Sequence, residues 1–437
     1  MSYTEVLEKI HEFNRFGSRL GLERMYKLLE LLGNPHEGLK IIHIAGTNGK
    51  GSVSRYVYSV LQANGYRTGL YTSPFLERFT ERIEFDGAEI LEEDLIRIFS
   101  VVIEKVDEMV ASGYDSPTEF ELVTAMALYY FAAEKADLVV LEVGLGGSGD
   151  STNVASEPLI TAITSISYDH MEQLGDTLEK IASNKAGIIK PGVPVIAFVE
   201  DEGAKAVIAE EAAEKGSRLI EEKDISIYRI EREISGYSFD AQILDTRYDS
   251  VKLSMLGEHQ VMNAACALCI IEYLKQEKNI SMETIKIFEG MKKAFQKGRF
   301  EIVEGKPTVA IDGAHNIAGV KALVKTAKYH FGGKRILIVT GILKDKQVGE
   351  MTRELSSLDA DFIVTEPYNP RKMNARDLEQ YFLTNGKKTK AFPQIEDAWN
   401  YAQAVKDDYD VIICTGSLYL IGAIRHLVFE KSKASGI

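Results

Sequence analysis

Residues 41–52 read Ile41-Ile42-His43-Ile44-Ala45-Gly46-Thr47-Asn48-Gly49-Lys50-Gly51-Ser52. The apolar run predicts a buried strand, and it empties into a glycine-rich turn carrying one lysine and one hydroxyl. Val53, Val57, Val60 and Leu61 then recur at helical spacing. A strand, a glycine turn and a helix N-terminus together make a phosphate cradle. Glycines let backbone N–H groups approach the anion, the helix dipole favours its charge, and Lys50 reaches the outer phosphates. Ser52 is placed to hold Mg²⁺. The stretch departs from the standard P-loop pattern: Gly51 separates Lys50 from Ser52, and Ile44 sits where the first glycine belongs. A purely structural turn rarely needs three glycines, a lysine and a hydroxyl together, so Thr47, Asn48, Gly49, Lys50, Gly51 and Ser52 are the expected nucleotide contacts.

Working outward, short apolar runs alternate with longer helical patterns. Expected strands are 41–45, 68–71, 138–143, 159–164 and 193–198, with a second series at 308–311, 335–340, 362–365 and 411–414. This rhythm predicts an α/β fold with mostly parallel sheets and helices on both faces. Between about Arg218 and Leu256 the alternation changes to that of antiparallel strands around Gly236, predicting a small β appendage. A helix is expected over about 259–275, with Val261, Ala264, Ala265, Leu268 and Ile271 on one face. The reading is a P-loop ATPase-like domain over 1–296, carrying the appendage, and a Rossmann-like α/β domain over 297–437.

The chain has 437 residues and a formal net charge of -14, which argues against non-specific nucleic-acid binding. A pocket for a small anion needs only local positive charge. Cys266, Cys269 and Cys414 form no metal-ligand array, and Cys266 and Cys269 lie in an apolar run that predicts buried packing. The N-terminus has no secretory apolar region and no run reaches the length of a membrane span, so a cytoplasmic, soluble protein is expected.

Polar residues cluster just after the expected strands. Leu138–Leu141 delivers Glu142, which alone reads as a solvated strand end but beside a phosphate cradle reads as a Mg²⁺ ligand. Gly144–Gly149 satisfies the dinucleotide pattern G-x-G-x-x-G, yet no helical spacing follows it. A flexible loop that closes over a substrate is the better reading, with Asp150 and Asn153 offering polar contacts. Ser73 and His170 follow two further strands. With Glu142 they would reach one cation if those strand ends converge, although a lone histidine is usually structural. Lys185 reads by spacing alone as a surface or helix-dipole lysine. Asp312-Gly313-Ala314-His315-Asn316 suggests contacts to a nucleotide or second substrate, with a structural turn as the competing reading.

In this order, these elements resemble the folylpolyglutamate synthase and dihydrofolate synthase family of the Mur ligase superfamily. The resemblance spans nearly the whole chain: GLERMYKLLELLGNPH, IHIAGTNGKGSV, TSPFLERFTERI, LEVGLGG, DSTN, DHMEQLGDTLEKIA, NKAGIIKPG, GEHQVMNA, GRFE, DGAHN and TGSLYLIGAIR. The extra Gly51 is normal for that family. The resemblance implies ATP-dependent amide formation between L-glutamate and a folate or dihydropteroate. It implies that Gly49, Lys50 and Ser52 hold the triphosphate and that Ser52, Ser73, Glu142 and His170 surround Mg²⁺. It further implies that Asn263, Arg299, Asp312 and His315 serve ATP. Lys185 matches a lysine carried as a carbamate, which with Lys50 and His170 makes the expected catalytic group. Asp150 and Ser73 match the substrate side. Two departures, Ser148-Gly149 after the paired glycines and Phe75 after Ser73-Pro74, lie near the expected pterin position. They favour polyglutamylation over dihydrofolate synthesis.

The expected protein is thus a monomeric ligase working through an acyl phosphate. Rival readings are a ligase for a UDP-linked peptidoglycan precursor, a nicotinamide dehydrogenase using Gly144–Gly149, and a nucleotide-binding regulator without catalysis. The dehydrogenase leaves the Gly46–Ser52 turn unexplained.

Overall fold

Ile41–Ala45 is β1, buried at every position, because a strand covered on both faces needs no polar alternation. The computed structural model describes residues 1–17, 21–233 and 235–434, with side chains through Phe429. The first sheet also contains β2 (Thr68–Tyr71), β3 (Ile83–Phe85), β4 (Ala88–Glu89), β5 (Leu138–Glu142), β6 (Ile160–Ile163), β7 (Val195–Ala197) and β8 (Leu219–Glu221). Its order is β4-β3-β2-β5-β1-β6-β7-β8. β2, β5, β1 and β6 run parallel as neighbours, so the segments leaving their carboxyl ends share one edge of the sheet. Only the β3 and β4 pairings are antiparallel among those of this sheet. Helices cover both faces. One core gathers Phe99, Leu122, Met126 and Leu141, and another gathers Ala45, Ile163, Ile181 and Ile208.

The appendage consists of β9 (Ile225–Glu233), β10 (Gly236–Ile243) and β11 (Thr246–Leu253), in the order β11-β10-β9. Its chain reversals are too short for anything but antiparallel neighbours. Ile234, within the stretch read from sequence, lies outside the described residues. The last sheet contains β12 (Glu301–Val303), β13 (Thr308–Ile311), β14 (Ile336–Thr340), β15 (Ala360–Thr365), β16 (Thr389–Phe392) and β17 (Val411–Thr415). Its order is β12-β13-β17-β14-β15-β16, parallel except for β12.

The chain divides into two compact units. The first comprises Met1–Arg229, Phe239–Lys252 and Asn263–Ala294; the second comprises Ile230–Ser238, Leu253–Met262 and Phe295–Ile437. Among the described residues no helix is long and apolar enough to cross a membrane.

The helix His259–Glu277 differs from its one-faced reading. Cys266, Cys269 and Ile270 are buried along with Leu268 and Ile271, so the helix is enclosed nearly all round. Packing on several sides removes the polar stripe that a surface helix would show.

The helix that opens at Lys50 is held from behind by the helix Thr284–Lys293. At their crossing, a Cβ on Gly290 would lie 2.5 Å from Val60 Cα. Ser59 Oγ donates to the Gly290 carbonyl at 2.8 Å. Backbone contact this close leaves no room for a side chain. Gly290→Val is expected to destabilise the first unit by about 1–3 kcal/mol through overpacking, read as a lower urea midpoint.

Candidate functional site

The turn after β1 is assembled by the segment that leaves β6. Thr47 N–H donates to Ser165 O at 2.7 Å, and Asn48 N–H donates to Ser165 Oγ at 3.0 Å. Thr164 Oγ1 and Ser165 Oγ both donate to Asn48 O, at 2.6 and 2.9 Å. Thr47 Oγ1 donates to Ser167 O and accepts from Ser167 N–H. The turn is therefore fixed before the helix Lys50–Ala63 begins. Gly49 caps that helix at φ 90°, and a Cβ there would lie 2.5 Å from Asn263 Oδ1. Positive φ and close approach both require glycine here. The same contact brings Asn263 to the turn.

Two ammonium groups meet one carbonyl. Lys50 Nζ donates to Gly46 O at 3.1 Å and Thr47 O at 3.3 Å, while Lys185 Nζ donates to Gly46 O at 2.9 Å. Lys185 is only 4% exposed, which corrects the surface reading that its spacing suggested. It ends the helix Leu178–Ala186, whose buried face includes Ile181, Ala182 and Ala186. Burial, then the Lys50 charge, push its pKa down to about 7, against weaker opposition from Asp169 and Asp150. A buried amine so depressed is largely uncharged above neutrality, the state a nucleophilic or carbamate-forming lysine requires.

Glu142 ends β5 in register with Ile44, and it is buried. Its Oε2 lies 3.5 Å from where a Cβ of Gly51 would stand, against the first turn that also carries buried Ser52. A serine hydroxyl and a carboxylate at a phosphate cradle form the hard-oxygen set that suits Mg²⁺, which keeps few protein ligands. Ser73, half-buried after β2, and His170, half-buried after β6, leave the same sheet edge. Strand spacing of about 4.8 Å puts β2 and β6 roughly 14 Å apart across β5 and β1. His170 adopts φ 50° and its N–H donates to Asp169 Oδ1 at 2.9 Å. Among the described residues no group of three or more His, Cys, Asp or Glu side chains could hold a metal.

The Gly144–Gly149 loop is packed rather than free, unlike the flexible loop read from sequence. A Cβ on Gly147 would lie 2.7 Å from both Asn184 O and Lys185 O, and Ser148 N–H donates to Asn184 O at 2.9 Å. No long helix follows it; a short 3₁₀ turn spans Ser151–Val154. Asp150 is buried and turns inward, accepting from Leu145 N–H at 2.8 Å and Thr152 N–H at 3.0 Å. Asn153 Nδ2 donates to Ser148 O and Gly187 O.

In the second unit, Asp312 follows β13 and accepts from Phe300 N–H and Ala314 N–H, both at 2.9 Å. Burial raises its pKa, and the neighbouring Arg299 charge is the leading opposing influence. A Cβ on Gly313 would lie 2.9 Å from an Arg299 guanidinium nitrogen, and His315 Nδ1 is 2.8 Å from Gly313 O. Arg299, Asp312 and His315 thus form one cluster at a strand end.

Sequence reasoning missed the clamp made by Thr164, Ser165 and Ser167. It also passed over Asp169, buried and acting on Lys185. The hydroxyl-rich run Thr164-Ser165-Ile166-Ser167 after a buried strand was the available signal.

Lys185 has a stability consequence with a definite sign. Its folded pKa lies below the ordinary lysine value of 10.5, so between about 7 and 10.5 the unfolded chain binds more protons. Its contribution to stability therefore rises with pH across that window, by up to about 1.4 kcal/mol per unit. Relative to wild type, Lys185→Met is expected to flatten this rise in urea unfolding measured from pH 7 to 9.

The sequence matches the Mur ligase middle domain over residues 44–271 and the Mur ligase glutamate ligase domain over residues 298–418. It is 37% identical to the dihydrofolate synthase/folylpolyglutamate synthase of Bacillus subtilis, over 97% of this chain and 98% of that protein. The Mycobacterium tuberculosis folylpolyglutamate synthase solved with ADP and AMPPCP superposes with a TM-score of 0.90 at 30% identity, covering 97% of this chain and 98% of that one. A structure described as an FPGS-AMPPCP-folate complex gives a TM-score of 0.86 at 32% identity, covering 98% of this chain and 100% of that one. With both domains matched and a relative aligned end to end, the chain belongs to the folylpolyglutamate synthase/dihydrofolate synthase family of Mur ligases.

Proposed function

We propose that this chain is an ATP-dependent ligase that joins L-glutamate to a folate, extending tetrahydrofolate to polyglutamates. The observation that carries this reading is the phosphate turn, with Lys50 and Lys185 on one carbonyl and Glu142 against the first helical turn. It occurs in a chain related along nearly its whole length to folate–glutamate ligases.

A carboxylate is a poor electrophile, and its condensation with an amine in water runs uphill. In the proposed reaction a folyl carboxylate oxygen attacks the γ-phosphorus of ATP and ADP leaves, giving an acyl phosphate. The glutamate amine then attacks the acyl carbon, and the tetrahedral intermediate collapses with loss of phosphate. The chain's part is positioning and charge neutralisation. The helix N-terminus that opens after Gly49, held in place by the fixed turn before it, meets the triphosphate, and Lys50 swings from its carbonyls to the outer phosphates. Lys185, uncharged or carbamylated, adjusts the charge beside them. Ser52 and Glu142 would hold Mg²⁺, with Ser73 and His170 completing its surroundings, and the ion would offset the charge of the transferring phosphoryl group. Asn263, Arg299, Asp312 and His315 are assigned to ATP, and Asp150 with Ser73 to the folyl substrate. The work divides near residue 296, between an ATP-binding part over 1–296 and a glutamate-ligase part over 297–437. We place the enzyme in the cytoplasm as a monomer; its three cysteines are free and buried, as a reducing compartment allows.

Dihydrofolate synthesis from dihydropteroate and glutamate is the second activity, favoured by the dual name of the Bacillus subtilis relative. Mass analysis after incubation with ATP, Mg²⁺, glutamate and either tetrahydrofolate or dihydropteroate separates the two. The expected product is tetrahydrofolate carrying added glutamate, with ADP release that needs both folate and amino acid. ADP release with a UDP-linked peptide acceptor instead would overturn the assignment. Lys50→Ala is expected to lower kcat by about 10²–10³-fold, by analogy with the loss of a preorganised charge-stabilising donor, with unfolding unchanged. Glu142→Gln is expected to raise the Mg²⁺ concentration needed for half-maximal ADP release by about ten-fold, a loss of roughly 1.4 kcal/mol in binding.

A further inference from the structure

His43 takes no part in the reaction outlined above, yet it is a fully buried imidazole in a strand otherwise made of isoleucine and alanine. Its Nε2 lies 2.8 Å from Thr152 Oγ1, and Thr152 Oγ1 lies 2.5 Å from Asp150 Oδ1. The direction of this chain of bonds follows from the inventory of protons. Burial raises the Asp150 pKa, but the Thr152 hydroxyl and backbone N–H bonds on both oxygens favour the carboxylate, and Thr152 Oγ1 donates to it. Thr152 then has only lone pairs left for the ring, and His43 must donate from Nε2. Its Nδ1 is left bare, buried and without a hydrogen-bond partner. Burial, aided by Lys190, pushes the imidazole down to about 3, consistent with this neutral tautomer.

An apolar side chain would fill the same space with no orphaned nitrogen. What the imidazole adds is one donor aimed at Thr152. The chain of bonds spans the glycine loop, reaching Leu145 N–H near its start and Thr152 beyond its end. The loop in turn lies against the backbone of Asn184 and Lys185. Resting on the ligase reading above, we propose that His43 is a positioning residue: through Thr152 and Asp150 it holds the Gly144–Gly149 loop against the Lys185 segment, in the one register that accepts the folyl substrate.

The test begins with wild type, because absence of any folyl-glutamate product there refutes the ligase reading itself rather than this inference. Given product, the KM for folate and the Kd for an ATP analogue are compared in His43→Leu, Thr152→Val, the double variant and Thr152→Ser. Each of the first two is expected to raise the folate KM about five-fold or more while the nucleotide Kd stays within about two-fold. Thr152→Ser, which keeps the hydroxyl, should restore the wild-type KM. The double variant should be about as impaired as the worse single one, because the residues act in series. The inference is overturned if the folate KM moves less than about two-fold, if KM and nucleotide Kd rise together, or if the two effects multiply. Should His43→Leu not fold, the Thr152→Val and Thr152→Ser pair reads the same relay from its other end. His43→Gln, which retains a donor, is expected to fold with a KM near wild type; a five-fold rise there would equally overturn it.

Discussion

The phosphate turn depends on how its carbonyl groups are satisfied. A turn that aims N–H groups at an anion must point carbonyls elsewhere, and in a buried setting each needs a donor. Here Asn48 O receives Thr164 and Ser165 hydroxyls, Thr47 O receives Lys50, and Gly46 O receives Lys50 and Lys185. Thr47 N–H and Asn48 N–H are in turn given to Ser165, so the turn is held through its donors as well as its acceptors. That arrangement is set before any ligand arrives, the condition under which electrostatic stabilisation costs no reorganisation during reaction.

Placing two ammonium groups on Gly46 O has an electrostatic consequence. Both cannot be charged in a buried site without penalty, and the more enclosed one yields: Lys185 has its pKa lowered to about 7. Lys50, half-buried at the helix N-terminus, is the group that the proposed reaction assigns to phosphate. The formal net charge of -14 does not oppose this, because it is the local balance of lysines, helix dipole and buried acids that an anion meets.

Much of this was legible from sequence where burial is continuous. β1, β2 and β13 have the expected ends. The short strands β3, β4, β8, β12 and β16, at or next to a sheet edge, were not legible. Their residues are partly exposed and mix polar with apolar types, as in Thr389–Phe392, so no run announces them. The turn between β1 and the helix at Lys50 was legible because glycines, a lysine and a hydroxyl separate an apolar run from a helical pattern. Lys185 was not, since burial is a property of the helix packing around it rather than of its neighbours in sequence. His43 was absorbed into an apolar run, although a histidine among isoleucines in a buried strand demands a partner somewhere in the fold.

β1 joins these features mechanically. It is paired on both sides, with Ile44 opposite Glu142 in β5 and opposite Ala162 in β6. Its register is therefore fixed twice, and a slip of one residue would move every side chain to the other face. Such a slip would take His43 away from Thr152, Glu142 away from the first helical turn, and Gly46 away from Lys185 at once. The phosphate turn and the glycine loop cannot shift independently, because both are set by the position of one five-residue strand. The site's geometry is in this sense a consequence of sheet pairing. The polar contacts at its rim hold, in detail, an arrangement that the buried strands have already determined.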